Sequence, residues 1–248
     1  MAVWTYSMVS VVIVSLISLV GIFALILQRD KLQRLTLFLV SFAVGGLLGD
    51  ALIHLIPESF ARPDGRLSAS LCILAGILGF FVLEKYVIWR HFHVHAEDRG
   101  IKAVVPMILL GDAVHNFIDG AVIGASYLVN IPLGVTTTLA VVLHELPHEI
   151  GDFGVLVHGG LSVKRALLLN FLTALTAIAG TIASLTVGPH VQGYAPAVVP
   201  ITAGGFLYIA GSDLIPELQE EVRISRSMLQ LLCVVCGIGI MALLILMG

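Results

Sequence analysis

Two stretches of this chain concentrate side chains that could bind a metal ion. GDAVHNFIDG carries Asp112, His115, Asn116 and Asp119, and HELPHEIGD carries His144, Glu145, His148, Glu149 and Asp152. On a helix, residues i and i+4 lie within roughly 40° of one another. His115 therefore shares a face with Asp119, His144 with His148, and Glu145 with Glu149, while Asn116 lies beside the first pair. Imidazole together with carboxylate suits a divalent ion such as zinc, and no thiolate is present in either stretch. A lone histidine in a helix is ordinarily a hydrogen-bonded core group. Nine such groups in two consecutive apolar segments, with no Lys or Arg between them, are a different case. A bound cation is the economical way to neutralise them. Pro147 falls between the two histidines of the second stretch and removes a helical N–H, which predicts a kink that opens backbone at the site. Two neighbouring segments add Asp50 and His54, and Tyr208 and Asp213. His54 is expected as a ligand or gate. Asp213 is a secondary candidate, with a structural or proton-relay role equally open; Asp112 and Asp152 are the other secondary candidates.

The elements that hold these groups follow from composition. Of 248 residues, 58% are apolar and 12% charged, with a mean hydropathy of +1.04. A globular domain has ~25% charged residues, and a bilayer-spanning helix needs ~20 mostly apolar ones. The chain therefore reads as an all-α integral membrane protein rather than a soluble enzyme, a disordered tail or a nucleic-acid binder. Its net charge of −3 leaves no basic footprint, and its three cysteines are too few for a disulfide framework.

Eight transmembrane helices are expected, at roughly 8–28, 35–60, 70–90, 103–128, 133–158, 165–188, 197–220 and 226–247. The first lacks a basic leading region, since Arg29 is the first charge, and so reads as a span rather than a cleaved signal. Short connections leave no extramembrane domain. The odd-numbered loops, with Lys85, hold eleven Lys and Arg against two, Arg62 and Arg66, in the even-numbered ones. The positive-inside rule then puts the odd loops in the cytoplasm and both termini outside, in an inner or plasma membrane of the cell.

An internal repeat organises the spans. Gly45-Gly46 leading to Leu55-Ile56-Pro57-Glu58 matches Gly204-Gly205 leading to Leu214-Ile215-Pro216-Glu217, with eight of fourteen positions identical at an offset of 159. The two copies run in opposite directions through the membrane. Helices 1–3 (about 8–90) and 6–8 (about 165–247) would be inverted repeats around helices 4–5 (about 103–158), an architecture of transporters with a midplane site. Weaker signals read blandly. His91, His93 and His95 are interfacial, Cys233 and Cys236 pack in the last span, Gly45 and Gly49 pack helices closely, and Glu220 and Glu221 are solvated charges at headgroup level.

HNFIDG in the fourth span and HELPHE running into GDF in the fifth resemble the signatures of the ZIP zinc-transporter family. The resemblance covers essentially the whole chain. It implies eight helices with both termini outside, and uptake of zinc into the cytoplasm through a two-metal site, iron(II) or manganese(II) being alternative cargoes. By resemblance, His54, His115, Asp119 and His148 form the innermost transport site. Asn116 and Glu145 belong to a neighbouring site that shares His148, and His144 and Glu149 belong to the motif. The expected partners are the lipid bilayer, divalent metal ions and a second copy of the chain in a homodimer, with no nucleic acid. Many eukaryotic members have a large ectodomain and a long histidine-rich third loop, which this chain lacks beyond HFHVH. Some relatives supply a sixth-span carboxylate to the second metal, where this chain has Asn170 and Thr173.

Enzymatic activity is the main rival, because His144-Glu145-Leu146-Pro147-His148 satisfies the HExxH pattern of zinc proteases. Proline inside that motif would distort the helix that aims both imidazoles at one ion, and the donors outnumber what one catalytic metal uses. The expectation is therefore transport, not catalysis. A metal sensor would need a signalling domain, and none is read here. No G-K-[ST] phosphate loop occurs, so this chain is expected to transport by alternating access without ATP.

Overall fold

The computed structural model describes residues 1–22, 29–61, 65–94, 105–158 and 160–245. Among them every regular element is helical. In order, α1 is Ala2–Ile17 with a 3₁₀ turn at Ser18–Ile22. The α2 rod runs from Arg29–Gly49 through a π-helical segment, Asp50–Leu55, into Ile56–Phe60. Then come α3 (Arg66–Val94), α4 (Val105–Val129) and α5 (Ile131–His158). The α6 rod is Val163–Ala174 followed by Thr176–Val187. The α7 rod runs Tyr194–Tyr208, π-helical Ile209–Leu214 and Ile215–Gln219, and α8 is Ile224–Leu244.

Seven of these rods are long and apolar enough to cross a membrane. The chain is an all-α, multi-pass membrane protein. The remaining rod, α5, has 28 residues, ample length at ~1.5 Å per residue. Its three carboxylates and its histidines lower its hydropathy, so it meets the length requirement alone, and the expected count of eight rests on it. Apolar side chains cover the outside of the bundle, as on α8, where Leu229, Leu231, Leu232 and Val235 are exposed. That is the surface lipid covers. Cys236 lies on the same face, exposed rather than packed as expected, and all three cysteines are free.

The rods differ from expectation at several ends, and in one interior. The first begins at Ala2 rather than near residue 8, because Thr5 and Ser7, which interrupt the apolar residues there, donate their hydroxyls back to the Met1 and Val3 carbonyls within the helix. The third extends through polar residues to Val94, past the expected end near 90. The interior difference concerns Pro147. The α5 helix continues through it without a break, and the irregular segments lie in α2 and α7 instead. Each π-helical stretch ends two residues before a proline, Pro57 and Pro216. A proline has no N–H for the carbonyl one turn earlier, and π-type bonds re-register the ladder ahead of it. Accordingly, Ile56 N–H donates to Ala51 O and Ile215 N–H to Ala210 O, five residues back in each case.

These two segments obey the sequence repeat: Asp50–Leu55 shifted by 159 is Ile209–Leu214. Helix packing repeats as well. A Cβ on Gly45 would lie 2.1 Å from the Val234 carbonyl oxygen, and one on Gly204 2.0 Å from that of Ile73. Reciprocally, a Cβ on Gly237 would lie 2.5 Å from Phe42 O, and one on Gly76 2.1 Å from Ile201 O. Thus α2 docks backbone to backbone on α8, as α7 does on α3. Small residues allow this close approach in membranes. The same crossing made twice from corresponding residues is what duplication of helices 1–3 into 6–8 would leave. Between the two crossings lie α4 and α5, whose apolar halves join a cluster that includes Leu47, Ile123, Leu143, Phe206 and Met241.

Candidate metal centre

The helical register places the donors halfway along two adjacent rods. His115 and Asp119 come from the middle of α4, and His144 and Glu145 from the middle of α5. Their donor atoms all lie within 4.8 Å of one another. His115 Nε2 is 3.1 Å from Glu145 Oε1 and 3.6 Å from Asp119 Oδ2. His144 Nε2 is 3.1 Å from Asp119 Oδ2 and 3.4 Å from Glu145 Oε1. The second nitrogen of His144 is committed elsewhere, with Nδ1–H donating to the Ala140 carbonyl at 3.0 Å. That bond fixes the ring and leaves Nε2 to act as a ligand. Asp119, His144 and Glu145 are buried. His115 Nε2 and both oxygens of Glu145 are sealed from solvent without a hydrogen-bond partner among the described residues. Lone pairs so close, buried and unmatched are costly unless a positive charge lies among them.

A second group adjoins the first. Asp112, His148 and Asp152 also bring donor atoms within 4.8 Å of one another, with His148 Nδ1 3.6 Å from Asp152 Oδ2. The rings of His115 and His148 stack at 5.0 Å and join the two groups. Asn116 Nδ2 donates to Asp112 Oδ1 at 2.7 Å, and the Thr173 hydroxyl from α6 donates to Asp112 Oδ2. This group borders a cavity of about 240 Å³ together with Glu84, His115, His144 and Tyr208. The cavity opens at the end of the bundle from which α4 starts and at which α3 and α5 finish. His148 is its most open member, with 42% of its side chain exposed, against 2% for His144.

The remaining sequence candidates lie elsewhere. His54 is outside both groups: its Nε2–H donates to the Met241 carbonyl at 2.9 Å. It lines a second cavity, of about 590 Å³, with Glu58, Asn130 and Thr136 at the opposite end of the bundle. Its π-helical segment turns it toward α8 rather than α4. Glu149 accepts from Asn170 Nδ2 on the α6 side of α5 and joins neither group. Asp50 is buried beside Thr136 and Thr137. The side chain of Asp213 lies outside the described residues, as do those of His91, His93 and His95. The i,i+4 argument also joined His144 with His148, whereas the structure assigns them to different groups. Neighbours on α4 divide them: Asp119 lies against His144, and the His115 ring stacks on His148. Sequence reasoning missed Glu84, an acidic residue inside the apolar run of α3. A carboxylate there was itself a signal.

A bundle of apolar helices with two adjoining His/carboxylate groups defines a multi-pass membrane protein with side chains that could hold a metal ion halfway along its helices. The family pattern described as ZIP Zinc transporter matches residues 1–100 and 90–245. Zinc transporter zipt-7.1 of Caenorhabditis briggsae is 33% identical over an alignment covering 96% of this chain and 78% of that protein. Zinc transporter SLC39A7 of Rattus norvegicus is 32% identical, covering 97% of this chain and 72% of its own length. Zinc transporter ZIP13 of Pongo abelii is 39% identical across 83% of this chain and 65% of that protein. The chain belongs to the ZIP zinc transporter family.

Proposed function

We propose that this chain carries zinc into the cytoplasm by alternating access, without ATP. The ion binds among His115, Asp119, His144 and Glu145 and leaves by way of Asp112, His148 and Asp152. The observation that carries this reading is the convergence of buried, unmatched nitrogen and oxygen donors halfway along α4 and α5. Two imidazoles and two carboxylates form the kind of tetrahedral set that zinc accepts, and iron(II) or manganese(II) could occupy the same donors. Asn116 and Glu149 then act from outside the first group, one holding Asp112 and the other bonded to Asn170.

The positions of the cavities support an inward direction. The cavity beside His148 lies at the end carrying the arginine- and lysine-rich loops, which the charge rule assigns to the cytoplasm. The His54 cavity lies at the opposite, outer end. Between it and the metal group come Ile123, one turn beyond Asp119 on α4, and Leu143, next to His144 on α5, both in the apolar cluster with Phe206. The Phe206 ring stands 5.9 Å from that of His144. In this state an ion at the centre is closed off from the outside and faces the cytoplasm. An outward state would require the duplicated helices 1–3 and 6–8 to shift relative to α4 and α5, so that the outer cavity reaches the same ligands.

The zinc-protease reading needs His144 and His148 on one ion, and here they belong to separate groups. Transport is tested in liposomes loaded with a zinc-sensitive dye. External zinc should brighten vesicles carrying the protein and leave vesicles carrying Asp119→Asn near the lipid background. Folded protein that gives no signal would end the proposal.

A further inference from the structure

The cytoplasm-facing cavity holds one carboxylate that neither metal group uses. Glu84 comes from α3, near the end of the apolar stretch Arg66–Lys85, and lines the cavity with Asp112, His148 and Asp152. A carboxylate in such a stretch is expensive and calls for a partner. The Tyr208 hydroxyl donates to Glu84 Oε2. Tyr208 is the last residue before the π-helical segment of α7, and Phe81 braces its ring edge-on at 6.4 Å. The adjacent ammonium, Lys85 Nζ, lies over the Phe81 ring at 5.8 Å. Among the described residues no ion pair is made to Glu84. Its negative charge thus faces the cavity, oriented by a neutral donor that leaves the charge intact.

The repeat shows that this arrangement is not a general feature of the packing. The reciprocal contacts of Gly76 and Gly237 relate α3 to α8 by a shift of 161 (237 minus 76), which makes Ile245 the counterpart of Glu84. Ile245 lines the outer cavity just as Glu84 lines the inner one. The counterpart of Tyr208, at the shift of 159, is Gly49. Two mouths built from matching elements therefore differ here: only the one facing the cytoplasm has a tyrosine-held carboxylate at this position. We propose that Glu84, positioned by Tyr208, is a release residue, receiving the divalent cation from the Asp112–His148–Asp152 group and passing it to cytoplasmic water. This inference rests on the transport reading above.

Glu84→Gln removes the charge but keeps an oxygen that can accept from Tyr208, so a mere clamp between α3 and α7 would survive it. Tyr208→Phe keeps the charge and removes its positioning bond. In the dye-loaded liposomes, Glu84→Gln should lower the maximal zinc rate about fivefold, the equivalent of ~1 kcal/mol for a charge contact in a water-filled cavity. The zinc concentration giving half the maximal rate should stay unchanged. Glu84→Asp should restore most of the rate, and Tyr208→Phe should fall in between. A Glu84→Gln rate equal to that of the unsubstituted protein would overturn the release role while leaving the transport reading intact. So would Tyr208→Phe being slower than Glu84→Gln, since loss of the bond outweighing loss of the charge marks a structural clamp. Absence of flux in the unsubstituted protein would defeat the transport reading, and the release role with it.

Discussion

His144 and His148 stand one helical turn apart and are given different work by their surroundings. His144 is buried, fixed through Nδ1–H on Ala140, and aimed at Asp119, so it should set affinity. His148 is half-open at the cavity mouth, so it should set the rate of release. His144→Ala is expected to weaken zinc binding more than about tenfold, ~1.4 kcal/mol or more, as read by equilibrium binding to purified protein. His148→Ala should lower the maximal flux more than the affinity; a reversal of the two effects would invalidate this division. Protons compete for the same nitrogens, because a ligand must be deprotonated to bind metal. Imidazole ordinarily titrates near ~6.5. Apparent zinc affinity should therefore fall as pH drops from about 7 to 5.5, and a pH-independent zinc titration would mean that carboxylates alone set binding. At this scale much of the site was legible in the sequence, since a dense run of His and carboxylate in apolar helices has few other uses. The grouping was not. The i,i+4 rule pairs residues within one helix, whereas Asp119 with His144, and His115 with His148, are contacts between helices.

At the scale of elements, the crossings of α2 with α8 and of α7 with α3 depend on glycine contacts that leave no room for a methyl group. Gly45→Ala and Gly204→Ala place a Cβ about 2 Å from a main-chain oxygen that cannot swing away. Each should destabilise the protein by ~1–3 kcal/mol, the range for overpacking, seen as a lower unfolding temperature in detergent. Gly79→Ala and Gly239→Ala meet nothing within 4 Å and should be neutral or slightly stabilising. Equal effects at all four positions would contradict the paired crossings. Outside the membrane, Arg226 donates to Glu221 at 2.8 Å and holds its carboxyl below the ordinary range. A depressed carboxyl contributes stability above its unfolded pKa of ~4.3 and loses it as pH falls through the folded value. Glu221→Gln should thus leave the pH dependence of unfolding between pH 7 and 5 unchanged and flatten it only below about 4.5. Hydropathy foretold the rods, and the two π-helical segments fall at matching positions of the sequence repeat. The π-helical segments escaped notice because the prolines that provoke them, Pro57 and Pro216, entered the sequence reading as matching positions of the repeat. Pro147 drew the attention instead, although its helix absorbs it.

For the whole molecule, one donor cluster separates two cavities of different character. The one beside His54 is parted from the cluster by apolar side chains, and the one beside His148 is lined by Asp112, His148, Asp152 and Glu84. If access alternates, a cysteine placed at Ile53 in the outer cavity and one at Leu83 in the inner cavity should change their labelling in opposite directions when zinc is added. Cys72, Cys233 and Cys236 would first be replaced by serine in this experiment. Labelling of both positions that ignores zinc would favour an open pore. Composition revealed a membrane protein at once, but not which end was open, because that depends on how α4 and α5 pack against their neighbouring rods. The proposed transport rests on zinc binding among His115, Asp119, His144 and Glu145, so the coordination of zinc by purified protein is the most direct measurement. X-ray absorption at the zinc edge should show a shell of two imidazole nitrogens and two carboxylate oxygens at ~2.0–2.2 Å, with one imidazole lost in His144→Ala. A shell without imidazole, or one that His144→Ala leaves unaltered, would contradict the account.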